Sequence, residues 1–545
     1  MSTQDAARRQ NAPTIIAGLC IVSWFALLGV RPLFNPDEGR YAEIPREMLA
    51  SGDWLVPHLN DLVYIEKPPL QYWATAASYA VFGTHVWAAR FYTGLCALLT
   101  VLVIAALARR LWGASVAWRA GIMLASTLGM IVIGQQLTLD MSLTFFLTLT
   151  LAAFCVAQDP TTLDGRRRHW MALAWVSAAA AFLTKGLIAL VLPALTLVAY
   201  SLAYRRFKPW SRLFLLRGCA LFALISVPWC VLMQQRVPQF FDFFFIREHF
   251  QRFLTRIEDR YEPMWFFIPV LAVGCLPWIL PAARALASSW RRPNAAMDFE
   301  PRTFLWVWVV VVFVFFSMSD SKLIPYILPL VPALALLMAS SPEESLRRDL
   351  VRTSTGVIAA GILLMAAAAI LPQLLSDPAR APYFAGLRLP ILGMGLVAAG
   401  GGWIARARKD PAAALGITAY MCFAILLMGA GSVAPLYSDA SLAAQISPAI
   451  MPGTKLYAVR TYDQTLPFYL GRTMTLVHER DELDFGLTLE PQKGIDTLDA
   501  FTTRWMAEPE ALALMQPDTY SMLHAAGLPM VIRATSPGRL IVSRR

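Results

Sequence analysis

Apolar stretches of about 20 residues recur along most of this chain. A helix needs roughly that length to cross the hydrocarbon core of a bilayer, and helices satisfy their own backbone there. Thirteen such stretches are readable: 13–32, 84–108, 116–134, 141–157, 170–184, 186–203, 213–233, 263–283, 303–318, 324–340, 354–372, 387–405 and 412–433. They predict a polytopic α-helical membrane protein with about thirteen transmembrane helices. Composition agrees, with 57% hydrophobic and 15% charged residues, where a soluble chain carries about 25% charged. The first stretch is too long for a signal-peptide core and no small-residue cleavage site follows it, so it reads as a retained helix.

Charge orients the chain. Arg8/Arg9, Arg109/Arg110, Arg166–Arg168, Arg205/Arg206/Lys208, Arg291/Arg292, Arg347/Arg348 and Arg406/Arg408/Lys409 fall in alternate loops. The positive-inside rule assigns these loops to the cytoplasm. That accounts for the net charge of +11 without a nucleic-acid partner. The N-terminus is then cytoplasmic and the C-terminus external. Residues 1–434 form the transmembrane domain, with an external amphipathic loop at 33–83. Residues 435–545 form a small external α/β domain, with strands at "KLYAV", "PMVIRA" and "RLIVS" and helix over "TLDAFTTRWMAEPEALALM". The seven cysteines lie in or beside apolar runs, with neither metal-type spacing nor a disulfide framework.

The first external loop holds the informative residues. "NPDEGRYAE" sets Asp37 and Glu38 directly after a membrane span. Tyr41, Ile44, Met48 and Leu49 share a helical face, and Gly52 supplies a stop. Asp37 is either a first-turn acid stabilising this helix or a functional carboxylate. A second helix follows in "KPPLQYWATAASYAVFG", and both would lie on the membrane surface.

The run "NPDEGRYAEIPREMLASGDWLVPHLNDLVYIEKPPLQYW" closely resembles the first external loop of lipid-linked-sugar glycosyltransferases of the GT-C class. That class includes protein O-mannosyltransferases, and the nearest likeness within it is to bacterial aminoarabinose transferases acting on lipid A. "FGTHVWAARF", "FLTKG", "TLD" before a span and "KLIPYILP" fit as well. The detailed likeness covers residues 34–93 and scattered turns.

The resemblance implies an undecaprenyl phosphate-linked aminoarabinose donor, a lipid A acceptor and inversion at the sugar carbon. It implies a multi-pass protein of the bacterial inner membrane, with its tail in the periplasm, acting as a monomer among membrane lipids. Modified lipid A would be less anionic and would attract polymyxin-like peptides less. The catalytic residues expected are Asp37, Glu38 and Asp140. Lys67, Arg252 and Lys322 would hold the donor phosphate with Tyr326 and Tyr64, since preorganised cations best neutralise a leaving phosphate. Arg40 and Lys185 would support them. Arg252 shares its loop with Arg247, Arg256 and Arg260, which anionic headgroups alone would explain. Glu66 and His249 are candidate ligands of a divalent metal such as zinc, although two ligands are too few to specify it. A protein O-glycosyltransferase, in which Asp37 is a true general base, and a lipid transporter or flippase are the rival readings. No internal repeat of the transporter kind is evident.

Overall fold

The computed structural model describes the backbone of residues 3–252, 261–290, 298–374, 377–378, 380–508 and 510–544. Arg256, Arg260, Arg291 and Arg292, and the side chains of Arg8 and Arg9, lie outside the described residues. Among the described residues, seven helices are long and apolar enough to cross a membrane. Two bent pairs raise this to nine: Ala114–Ala125 with Leu128–Gly134 (59°) and Phe267–Gly274 with Ile279–Ser289 (119°). Ile15–Gly29, Ile188–Tyr204 and Ile324–Ala339 are shorter apolar helices, and Asp164–Lys185 begins in a charged turn. All thirteen expected stretches contain helix, but length and composition do not establish thirteen crossings. The sharper bend spans Pro277, and proline disfavours helical geometry in the residue before it.

Leu139–Gln158 is buried on nearly all sides. Its first turn carries Asp140, so this acid stands at the end of an enclosed helix rather than a lipid-facing one.

The loop at 33–83 is built of regular elements along most of its length. Its first helix, Asp37–Ser51, ends at Gly52 with φ +74°, a left-handed stop that glycine adopts without a Cβ penalty. A hairpin follows, β1 (His58–Leu59) and β2 (Leu62–Val63). Its turn residues Asn60 and Asp61 have φ of 56° and 62°, the positive values a tight two-residue turn requires. The Glu47 carboxylate accepts both of their N–H groups, at 2.6 and 2.8 Å. The second helix is Leu70–Phe82.

The C-terminal domain is built on six strands: β3 (Lys455–Val459), β4 (Thr475–Val477), β5 (Gly494–Ile495), β6 (Ala511–Met515), β7 (Val531–Ser536) and β8 (Arg539–Ser543). Their order is β5-β4-β3-β6-β8-β7, with β3 to β6 parallel and the last two antiparallel additions. The expected helix over residues 497–515 stops at Ala507, and "ALALM" is strand β6 instead. All five of its side chains are buried, the signature of an inner parallel strand rather than an amphipathic helix.

The sheet has two different faces. Tyr457, Val459 and Val477 meet Phe501 and Trp505 on one side. Leu456, Ala458, Leu476, Leu512 and Leu514 share a core with Tyr41, Met48, Leu62 and Tyr72 of the first loop on the other. The domain therefore rests its apolar face on the loop that carries the candidate acids. Asn60 and Met474 exchange reciprocal hydrogen bonds of 2.7 Å at this junction.

Candidate active site

The adjacent acids Asp37 and Glu38 have opposite fates. Glu38 is buried and its two oxygens are saturated by six donors. One oxygen accepts Arg31 Nη2 (3.1 Å), Arg90 Nε (2.7 Å) and the Leu137 N–H (3.0 Å). The other accepts Arg31 Nη1, Arg90 Nη2 (2.9 Å) and the Phe34 N–H (2.9 Å). Burial alone would raise its pKa, but the two guanidiniums hold it far below the usual carboxylate range. With no lone pair to spare, Glu38 is a strut between the end of the first helix, the loop, helix Val86–Trp112 and the turn before Asp140. The expectation of a catalytic Glu38 is corrected accordingly.

Asp37 opens the helix and its side chain is half exposed. Its protein contact is a 3.4 Å approach to Arg40. Arg40 is buried and bonds Glu482 of the C-terminal domain, so the tail contributes a wall of the site. Tyr41 and Tyr64 place their rings 5.8 and 6.0 Å from this guanidinium. The buried hydroxyls of Tyr64 and Tyr72 have no hydrogen-bond partner among the described residues. Burial keeps both protonated, so they are donors and acceptors available to a polar ligand.

Lys67 follows Glu66 and reaches across to the segment Asp242–Gln251. Its Nζ bonds Glu248 Oε2 at 2.7 Å and the Glu66 carbonyl at 3.0 Å, with the Glu66 carboxylate at 3.8 Å. Arg252 Nη1 meets the same Glu248 oxygen at 2.7 Å. Two expected phosphate-binding cations thus converge on one carboxylate. Glu248 is 8% exposed; burial opposes its ionisation, yet Lys67 and Arg252 hold its pKa at about 2. Sequence reasoning missed Glu248 because one acid in an arginine-rich loop looks like local charge balance. Its one available signal was its place four residues before Arg252, one helical turn.

Asp140 Oδ1 pairs with Lys185 Nζ at 2.5 Å, and the same ammonium lies 4.4 Å from the centre of the Tyr326 ring. Three residues named from separate turns therefore form one group. His249 ties it to the Glu248 cluster. The Leu187 N–H donates to His249 Nε2 at 3.2 Å, and Nδ1 donates to the Phe244 carbonyl at 2.6 Å. Gly186, at φ +77°, lies against this ring; a Cβ there would come within 2.1 Å of Nε2.

Both nitrogens of His249 are engaged with backbone, so the ring offers no lone pair to a metal. Nor do three or more His, Cys, Asp or Glu gather anywhere among the described residues. The expected zinc site at Glu66 and His249 does not fit this arrangement. Lys322 is buried, and its Nζ bonds the carbonyls of Glu262 (2.7 Å) and Ser319 (2.5 Å), so it braces a turn.

Two family descriptions match the chain. Residues 22–244 match dolichyl-phosphate-mannose-protein mannosyltransferase, and residues 442–544 match the aminoarabinose transferase C-terminal domain. Over 98% of both chains, the structure matches the crystal structure of ArnT from Cupriavidus metallidurans bound to undecaprenyl phosphate, with a TM-score of 0.92 and 34% identity. The chain belongs to the aminoarabinose transferase family. The apo form of that ArnT gives a TM-score of 0.90 at 35% identity, covering 99% of this chain and 98% of the other. Undecaprenyl phosphate-α-4-amino-4-deoxy-L-arabinose arabinosyl transferase 1 of Sodalis glossinidius is 36% identical over 372 residues. That match covers 66% of this chain, and the chain spans 65% of the length of that relative. The corresponding transferase of Pseudomonas aeruginosa PAO1 is 36% identical over 377 residues, 67% of this chain and 66% of the relative.

Within this aminoarabinose transferase fold, three groups lie around the first loop: Asp37 with Arg40 and Glu482, Lys67 with Glu248 and Arg252, and Asp140 with Lys185 and Tyr326. Glu66 stands between the first two, since its charge acts on Arg40, Tyr64 and Tyr72 while it neighbours Lys67.

Proposed function

We propose that this chain moves 4-amino-4-deoxy-L-arabinose from undecaprenyl phosphate to a phosphate of lipid A. The reaction would run on the periplasmic face of a bacterial inner membrane, with the N-terminus cytoplasmic and the C-terminal domain periplasmic. The observation that carries the reading is the convergence of Lys67 and Arg252 on Glu248, 2.7 Å from each, in the fold of a transferase captured with undecaprenyl phosphate.

The step is a single displacement. An oxygen of the acceptor phosphate attacks the anomeric carbon from the face opposite the leaving group. The bond from that carbon to the donor phosphate breaks, and undecaprenyl phosphate departs with the electron pair. Configuration inverts. A phosphate monoester is largely ionised near neutral pH, so the attacking oxygen needs no strong base. Lys67 and Arg252 bind the donor phosphate and balance the charge it gains. Lys67 spends two of its three N–H donors on protein acceptors and retains one for the donor. Asp37 pairs with the sugar's ammonium or orients the acceptor, because an exposed carboxylate and an ammonium make a charge-assisted hydrogen bond. The Asp140–Lys185–Tyr326 group borders the donor side.

The mannosyltransferase match over residues 22–244 supports a second reading, transfer to a protein hydroxyl, in which Asp37 removes the proton. The test uses purified protein, undecaprenyl phosphate-aminoarabinose and lipid A, with mass spectrometry of the lipid. Aminoarabinose addition lost in Asp37→Asn and Lys67→Ala supports the first reading. Failure on lipid A with transfer to peptide would favour the second.

A further inference from the structure

The residues on either side of Asp37 are held by the C-terminal domain. Asn35 donates its backbone N–H to the Tyr437 carbonyl at 2.8 Å and its side-chain Nδ2 to the Asp463 carboxylate. Gly39 lies against the backbone of Gln464 and Thr465, where a Cβ would come within 2.5 Å of the Gln464 carbonyl group. Asp463 organises that same turn. Its Oδ1 accepts the Thr465 N–H (2.8 Å), the Thr465 hydroxyl (2.6 Å) and the Leu466 N–H (3.0 Å).

Behind Asp463 stands a second buried acid. Arg539, the first residue of β8, bonds Asp463 Oδ2 at 2.6 Å and Asp439 Oδ1 at 2.8 Å through one nitrogen, Nη1. Both carboxylates are fully enclosed, whereas the arginine is a quarter exposed. The Asp439 N–H donates to the Thr465 hydroxyl at 3.0 Å, so the cluster closes on the turn that Gly39 touches. One guanidinium between two buried acids is an expensive arrangement for stability alone, because apolar packing often serves as well.

We propose that Asp439, Asp463 and Arg539 are positioning residues for the transfer reaction, fixing the Asp37 carboxylate through Asn35 on one side and Gly39 on the other. None of them touches the reacting atoms. They set the register in which the first loop meets the tail, and a misplacement of about 1 Å can cost 10²-fold in rate. The inference rests on the proposed transferase activity and goes beyond it in assigning these residues a role.

The test compares full-length wild type with Arg539→Met, Arg539→Lys and Asn35→Ala, measuring kcat, the KM for donor and thermal unfolding in one detergent. The expected result for Arg539→Met and Asn35→Ala is a kcat, per folded enzyme, roughly tenfold lower. The donor KM should change less than kcat, because Lys67 and Arg252, which hold the donor phosphate, are untouched. Arg539→Lys should recover much of the rate by keeping a cation between the acids. Should Arg539→Met not fold, Asn35→Ala carries the test. Wild-type kcat per folded enzyme in Asn35→Ala and in every folded Arg539 variant would overturn the inference. No transfer by wild type would instead overturn the reading of function on which it depends.

Discussion

Asp37 and Glu38 are neighbours in sequence, yet among the described residues Glu38 accepts six hydrogen bonds while Asp37 keeps a single 3.4 Å approach to Arg40. Substitution should therefore separate folding from rate. Glu38→Ala leaves Arg31 and Arg90 buried without a counter-charge, at a cost of about 3–5 kcal/mol. Little folded protein is expected in thermal unfolding or size-exclusion profiles. Asp37→Asn should unfold at nearly the wild-type temperature and lose transfer activity by about 10²-fold or more if the carboxylate contacts substrate.

Glu248 gives the site an acid limit. Its pKa lies at about 2 rather than 4.5, held there against burial by Lys67 and Arg252. A depressed carboxylate stabilises the fold fully above its unfolded pKa and loses that contribution as pH falls through its folded one. Wild type should lose stability between about pH 4.5 and 2, and Glu248→Gln should show a flatter limb over the same range. Chemical denaturation across pH would measure both. At neutral pH the same variant should bind donor more weakly, because Lys67 and Arg252 lose the carboxylate that aligns them.

Asp439 works in the other direction. Burial and the neighbouring Asp463 charge push it up to about 7, with Arg539 opposing. A raised carboxyl favours the folded state most when protonated. Stability should fall as pH rises from about 4 to about 7 and then level. Asp439→Asn, neutral at every pH, should remove this slope in the same denaturation series.

Gly186→Ala should disturb both cation clusters at once. The backbone there is left-handed, and the new methyl would collide with His249. Backbone strain of this kind costs about 1–3 kcal/mol. Displacement of the ring also loosens the connection between Lys185 and the helix bearing Glu248. Reduced melting temperature together with reduced kcat is expected; wild-type values for both would show that the ring simply moves aside.

Lys322 and Lys67 should behave differently when replaced by methionine. Lys322 holds two backbone carbonyls, so its loss should lower the melting temperature and leave donor KM near wild type. Lys67→Met should raise donor KM and lower kcat.

The many apolar helices, the two loop helices and a C-terminal domain with a sheet were legible because each rests on local periodicity or on a single residue such as Gly52. Asp37, Lys67, Asp140, Lys185 and Tyr326 were named from motif likeness and Arg252 from its arginine-rich loop; the structure pairs Lys67 and Arg252 on Glu248 and Asp140 and Tyr326 on Lys185. The groupings themselves were not legible. Glu38 is saturated by Arg31 and Arg90, and Arg90 lies 52 positions away. Lys67 finds Glu248 across 181 positions, and Arg40 finds Glu482 in a different domain. Charge pairs over such separations leave no period in the sequence. The brace that Lys322 makes was hidden for a related reason, since a lysine aimed at backbone carbonyls looks like any other lysine in a turn. Strand β6 was taken for helix because five continuous apolar residues fit both periods.

The reciprocal hydrogen bonds between Asn60 and Met474 bear on protein engineering. They join the hairpin of the first loop to the tail as one strand edge would join another, and Glu482 and Asp463 extend that seam beside Asp37. A chimera that exchanges residues 435–545 alone would inherit one half of a lock and keep the key of another enzyme. The unit that can be traded between relatives is the tail together with residues 33–83, although more than 350 residues of membrane domain separate them in the chain.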